Sequence, residues 1–171
     1  TTLTAALYDY LLDNELDAST INLDPAVEVL PYKPTIDIRD YVDARELMEK
    51  MGLGPNGALI ASMDMIALNL EELKEEVDSL RSNYLIIDTP GQLELFAFRE
   101  TGPLVIKGLT EGLKSVALFL IDAVQIVKPS NYLSALLLSA STQVRLKLTQ
   151  LNVLTKIDII PKEVLEEILN Y

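Results

Sequence analysis

Tyr84-Leu85-Ile86-Ile87-Asp88-Thr89-Pro90-Gly91-Gln92 runs from an apolar stretch into a carboxylate, a proline and a glycine. An unbroken apolar run, unlike an alternating one, suits a strand buried on both faces, as in a parallel sheet covered by helices. Its polar end opens a loop. Three other runs have the same form: residues 20–23 before Asp24, residues 116–121 before Asp122, and residues 152–155 before Lys156. Helical spacing lies between them, over residues 1–12, 44–51, 58–80, 93–113 (interrupted at Gly102-Pro103), 131–148 and 162–169. The first of these places Leu3, Leu7 and Leu11 on one face, and Pro161 suits the start of the last. Strands alternating with helices predict an α/β fold, a doubly wound, mostly parallel sheet flanked by helices. No repeat or linker divides the sequence, so residues 1–171 are expected to form a single domain.

Composition narrows the chemistry. With 49% hydrophobic residues, the 171-residue chain can build a sizeable core and is not disordered. His and Cys are both 0, which excludes imidazole bases, thiol nucleophiles, disulfides and Cys- or His-ligated metals. The net charge of -12 repels nucleic-acid backbones and anionic membranes, so neither is an expected partner. The start at Thr1 lacks a basic segment, and the apolar stretch 116–127 is broken by Asp122 and too short to cross a bilayer. A cysteine-free chain of this kind fits a reducing compartment, and a cytoplasmic location is expected.

In open α/β sheets ligands bind beyond the carboxyl ends of the strands. A carboxylate at Asp88 can hold Mg²⁺ through water. Gly91 lets the backbone approach a terminal phosphate and donate its N–H. Gln92 can orient an attacking water. An ordinary Asp-Pro-Gly turn is the competing reading. At the last strand end, Thr155-Lys156-Ile157-Asp158 places a carboxylate where it can accept two hydrogen bonds from the N1–H and N2–H₂ edge of guanine, with the Lys156 stem across base and ribose. A helix-capping Asp is the alternative there. Thr1-Thr2 opens a helix; a phosphate loop ends in Gly-Lys-Ser/Thr before such a helix, with the hydroxyl on Mg²⁺. The glycines and lysine of that loop would precede residue 1. Asp24 can reach a catalytic water or the metal sphere. Asp37, Arg39 and Asp40 suit a structural ion-pair cluster, and Gly54-Pro55-Asn56-Gly57 a tight turn.

Taken in order, Thr1-Thr2-Leu3-Thr4, Asn22-Leu23-Asp24-Pro25-Ala26, Leu30-Pro31-Tyr32, Ile36-Asp37-Ile38-Arg39-Asp40, Leu53-Gly54-Pro55-Asn56-Gly57-Ala58, Asp88-Thr89-Pro90-Gly91-Gln92-Leu93-Glu94 and Thr155-Lys156-Ile157-Asp158 resemble the GPN-loop GTPases. The resemblance implies a P-loop GTPase domain truncated at both ends, with residues 41–82 as a helical insertion carrying the Gly54-Pro55-Asn56 loop. It implies a dimer, homo- or heteromeric, in which that loop of one subunit enters the other's site and Asn56 contacts phosphate. It further implies Thr1 as a Mg²⁺ ligand, Asp88 in the metal's outer shell, and Thr1, Thr2 and Gly91 along the nucleotide phosphates. Gln92, Glu94 and Asp24 would position or polarise the water, and Thr155, Lys156 and Asp158 would read the base of GTP or GDP. Thr155 stands where the usual guanine motif has Asn, so one hydroxyl replaces an amide.

The same resemblance carries an alternative: a nucleotide-gated assembly factor or scaffold, for instance for RNA polymerase, with little turnover of its own. A dimeric P-loop ATPase is a further alternative, disfavoured because an adenine site has no use for a guanine-reading carboxylate.

Overall fold

The computed structural model describes residues 1–170, and Tyr171 lies outside the described residues. The chain divides into two compact units, Thr1–Glu111 and Gly112–Tyr171. The first runs α1 (Thr2–Asp13), β1 (Ala18–Asn22), β2 (Ile36–Asp37), a 3₁₀ turn (Ile38–Asp40), α2 (Ala44–Met51), α3 (Pro55–Leu68), α4 (Leu70–Ser79), β3 (Tyr84–Asp88), α5 (Leu93–Phe96) and α6 (Thr101–Thr110). Its sheet has the order β2-β1-β3, parallel throughout. β1 is the central strand, and Thr20, Ile21 and Asn22 are wholly buried, as the unbroken run predicts. Complete burial of a side chain such as Ile21, Leu23 or Ile66 is worth about 2 kcal/mol each.

The register sets up the site. Asn22 pairs with Asp37 on one side and Asp88 on the other, so three polar residues form a row at the carboxyl ends. Between β2 and β3 stand α2, α3 and α4. The Asp43 carboxylate caps α2 by accepting the N–H groups of Arg45 at 2.8 Å and Glu46 at 3.2 Å. Gly52 ends that helix in the left-handed region at φ 64°.

The second unit runs β4 (Val116–Asp122), a 3₁₀ turn (Gln125–Val127), α7 (Pro129–Leu146), β5 (Thr149–Thr155) and α8 (Lys162–Leu169). β4 and β5 are parallel, with Asp122 opposite Thr155 at their carboxyl ends. Its core gathers Ile121, Ala123, Ile126, Ile160 and Ile168. α7 is tied to β5 by Ser139, which donates to Asn152 Oδ1 at 2.6 Å and accepts from Gln150 Nε2 at 2.8 Å. No helix of the described residues is long and apolar enough to cross a membrane.

The α/β class with parallel sheets flanked by helices is as expected. Several boundaries differ for identifiable reasons. The strands fall in two sheets rather than one. β4 alternates in exposure and β5 is exposed or half-buried throughout, instead of both being buried on both faces, leaving Val116, Leu118, Leu120 and Leu151 exposed. The helix expected over 58–80 is two helices, because Asn69 donates its side-chain amide to Met65 O at 2.9 Å and competes with the backbone ladder. The interruption expected at Gly102-Pro103 comes earlier, after Phe96, and those two residues sit in the first turn of α6, where proline is tolerated. β5 begins at Thr149, three residues before the expected start. The turn expected at Gly54–Gly57 is instead a helix start: Gly54 is the N-cap and Pro55 the first residue of α3.

Candidate functional site

Asp88 ends β3 and is only 7% exposed. A buried carboxylate needs donors, and it has two. The terminal ammonium group of Thr1 pairs with Oδ1 at 3.0 Å, and the Tyr32 hydroxyl donates to Oδ2 at 2.8 Å. Burial first, then the hydrogen bond to Asp88, raise the Tyr32 phenol far above its ordinary value, so it stays protonated and donates. The start of α1 and the end of β3 are thereby brought together, as the sequence motifs require. Thr1 stands at the N-cap position of α1, yet its side chain makes no capping hydrogen bond, and Thr2 begins the helix. The Thr1 hydroxyl is therefore not committed to the helix.

Asp24 lies just beyond β1, half-buried, and joins this edge through the backbone: the Leu23 N–H donates to Asp88 O at 2.8 Å. Asn22 Nδ2 donates to Asp37 Oδ1 at 3.0 Å and to Asp24 O at 3.1 Å, while Asn22 Oδ1 accepts the Asp24 N–H at 3.1 Å. Arg39 grips Asp37, with Nε 3.0 Å from both carboxylate oxygens and Nη2 2.5 Å from Oδ2, and its Nη1 donates to Val27 O at 3.1 Å. Burial would raise the Asp37 carboxyl, but the hydrogen bonds from Arg39 and Asn22 outweigh it and hold the group below its ordinary value. The cluster is structural, as expected for Arg39, and it fixes the loop that carries Asp24.

Beyond β3, Gly91 and Gln92 are exposed, and Gln92 stands immediately before α5, which carries the exposed Glu94. A Cβ built on Gly91 would meet nothing within 4 Å, so the space beside its backbone is open. The donor set suits magnesium. The described residues contain no group of three His, Cys, Asp or Glu that could hold a metal alone. A hydroxyl and one carboxylate, completed by waters and phosphate oxygens, is the arrangement Mg²⁺ favours. Asn56 is exposed in the first turn of α3, behind Gly54 and Pro55. Its side-chain amide makes no hydrogen bond among the described residues.

In the second unit, Thr155 ends β5 and donates its hydroxyl to Ile121 O at 3.2 Å. Lys156 holds a left-handed backbone, φ 57°, a conformation that costs an L-residue about 1 kcal/mol. Its Nζ donates to Asp122 Oδ2 at 2.6 Å, and this hydrogen bond holds the Asp122 carboxyl below its ordinary value. The stem of Lys156 is thus anchored at its tip. Asp158 is exposed in the turn that follows.

The sequence reading missed Tyr32, Asn22 and Asp122 as site residues. Asp122 carried the strand-end signal. Tyr32 stood only within the Leu30-Pro31-Tyr32 segment of the resemblance, and its contact with Asp88, 56 positions away, had no sequence signal.

The family model described as a conserved hypothetical ATP binding protein matches residues 1–171. GPN-loop GTPase 1 of Dictyostelium discoideum is 34% identical over 169 residues, covering 98% of this chain and 43% of the relative. GPN-loop GTPase 3 of Debaryomyces hansenii is 40% identical over 149 residues, covering 86% of this chain and 54% of the relative. A crystal structure of a GTPase in apo form from Pyrococcus abyssi superposes with a TM-score of 0.87 at 34% identity, over 98% of this chain and 66% of that one. The chain spans about half the length of the curated relatives it matches. Matched along its whole length by the family model and similar over most of its length to these GTPases, the chain belongs to the GPN-loop GTPase family.

Proposed function

We propose that the protein binds GTP with Mg²⁺ and hydrolyses it to GDP and phosphate as a dimer, the Gly54-Pro55-Asn56 loop of each subunit completing the other's site. The observation that carries this reading is the buried Asp88 carboxylate at the carboxyl end of β3, with the start of α1 and its uncommitted Thr1 hydroxyl beside it and the open backbone of Gly91 three residues on. Phosphoryl transfer needs positioning and charge stabilisation rather than an imidazole base, which suits a chain without histidine. Bound Mg²⁺ would supply charge neutralisation on the phosphate oxygens, held by the Thr1 hydroxyl and, through water, by Asp88. Thr2 and the Gly91 N–H would face the phosphates. Gln92 offers both a donor and an acceptor to a water, and Glu94 and Asp24 are carboxylates able to polarise it. Water attacks the terminal phosphorus, the bond to the bridging oxygen breaks, and GDP leaves. Thr155, Lys156 and Asp158 would select guanine. The description of the matching family names ATP, and a base-side carboxylate is the feature that favours GTP over it.

Asn56 belongs in this reading because a stiff helix start presents an exposed amide with no side-chain partner among the described residues. The amide contacts phosphate without adding charge.

In the native polypeptide that carries this chain, Gln92→Leu should leave GTP affinity unchanged and slow single-turnover hydrolysis by about 10²-fold, the usual loss when one positioned polar group is removed. Hydrolysis at the parental rate would remove Gln92 from the water-positioning role and transfer it to Glu94 or Asp24.

A further inference from the structure

Tyr32 lies in the loop between β1 and β2, and its hydroxyl reaches Asp88 Oδ2 at 2.8 Å. The opposite oxygen of the same carboxylate pairs with the terminal ammonium group of Thr1 at 3.0 Å. At 7% exposure Asp88 sees little water, so the side-chain donor Tyr32 constrains the plane of the carboxylate. A donor fixed on one oxygen also fixes where the other oxygen points, and hence which way the group faces the phosphate side.

The placement of Tyr32 is itself imposed by the fold. Thr20 and Thr35 clasp the loop: the Thr35 N–H donates to Thr20 O at 2.8 Å, and the Thr20 N–H donates to Thr35 Oγ1 at 3.2 Å. At its other end the loop carries Asp24, held by Asn22. One hydroxyl therefore links the carboxylate at the end of β3 to the segment between β1 and β2.

We propose that Tyr32 is a positioning residue that orients the Asp88 carboxylate for Mg²⁺-dependent nucleotide binding and couples that site to the loop carrying Asp24. The inference rests on the reading of Asp88 as the metal-side carboxylate. A hydroxyl that merely braced the loop would affect stability alone. One that orients Asp88 affects the metal dependence of binding, because groups that orient metal-site ligands typically change metal affinity by about 10- to 100-fold when lost.

Tyr32→Phe removes the hydroxyl and keeps the ring. The test follows binding of fluorescent N-methylanthraniloyl-GDP to the native polypeptide, in EDTA and across a Mg²⁺ titration, for the parent, Tyr32→Phe and Asp88→Asn. The expected result is unchanged affinity in EDTA and a Mg²⁺ midpoint raised about tenfold in Tyr32→Phe, with the Mg²⁺ effect largely lost in Asp88→Asn. A Mg²⁺ midpoint equal to the parent's overturns the inference and leaves the reading of Asp88 standing. Equal losses with and without Mg²⁺ overturn it too, because they place the effect in the loop alone. If Mg²⁺ has no effect on the parent, or Asp88→Asn keeps the parental midpoint, the metal role of Asp88 falls, and the inference falls with it.

Discussion

Asp158→Asn should lower GTP affinity by on the order of 10⁴-fold and turn the base preference toward xanthosine triphosphate, the scale expected where a site's hydrogen bonds are reversed rather than weakened. The guanine edge presents two donors, N1–H and N2–H₂, and a carboxylate accepts both. An asparagine amide turns one of those acceptors into a donor facing a donor. Xanthine carries an oxygen at C2, which the amide N–H₂ can satisfy. Asp158 is exposed in the turn after β5, so the substitution should leave thermal stability unchanged, and lost binding then reports on recognition. Lys156 supports the assignment: it accepts a left-handed backbone and is tethered to Asp122, which aims its stem. Competition binding with GTP, ATP and xanthosine triphosphate reads all three preferences. Undiminished GTP binding by the variant would refute the guanine-reading role.

Gly102→Ala should destabilise the fold by about 3 kcal/mol, at the upper end of the usual cost of overpacking. A Cβ there would sit 2.1 Å from Phe96 O and 2.8 Å from Phe96 C. Those are backbone atoms, so no rotamer change relieves the clash, and α5 or α6 must move. Phe96 is buried at 2% exposure, so movement also opens the core. Gly91→Ala is the matched control, because a Cβ at Gly91 meets nothing within 4 Å. It should keep parental stability to within about 0.5 kcal/mol while lowering GTP hydrolysis, since the added methyl enters the open space that the proposed reading assigns to the phosphate. Chemical denaturation separates the two variants. Equal midpoints for Gly102→Ala and the parent would contradict the packing at α5–α6. Parental turnover by Gly91→Ala would contradict the phosphate-side role of that backbone.

The elements most legible in the sequence were those whose signal is local. β3 ends at the carboxylate of Asp88 and lies where its apolar run placed it, while β1 covers most of its expected run but begins two residues earlier, at Ala18, and ends at Asn22. α8 follows Pro161, as proline's preference for a helix start suggests. What escaped was set by contacts distant in the chain. β2 is two residues long and exists because β1 offers it a partner. The break at Asn69 is masked because Leu68, Leu70, Leu73 and Val77 continue the helical spacing across it. The Gly54–Gly57 segment reads as a turn because glycine and proline serve both turns and helix starts, and only Gly52 adopts a positive φ there. At the site, the residue types at the strand ends were readable, but the Tyr32–Asp88 contact was not.

Mixing an Asn56→Ala subunit with a Gln92→Leu subunit tests the shared-site account most directly. Each variant alone should be nearly inactive. In a mixed dimer whose loops cross between subunits, one composite site carries both lesions and the other carries neither. GTP turnover should therefore return on mixing, to about half the parental value per mixed dimer, by the symmetry of a closed two-fold interface. No recovery, with mixed dimers shown to have formed, would mean that Asn56 acts within its own subunit or only starts its helix, and the account of a site completed across the dimer would be wrong.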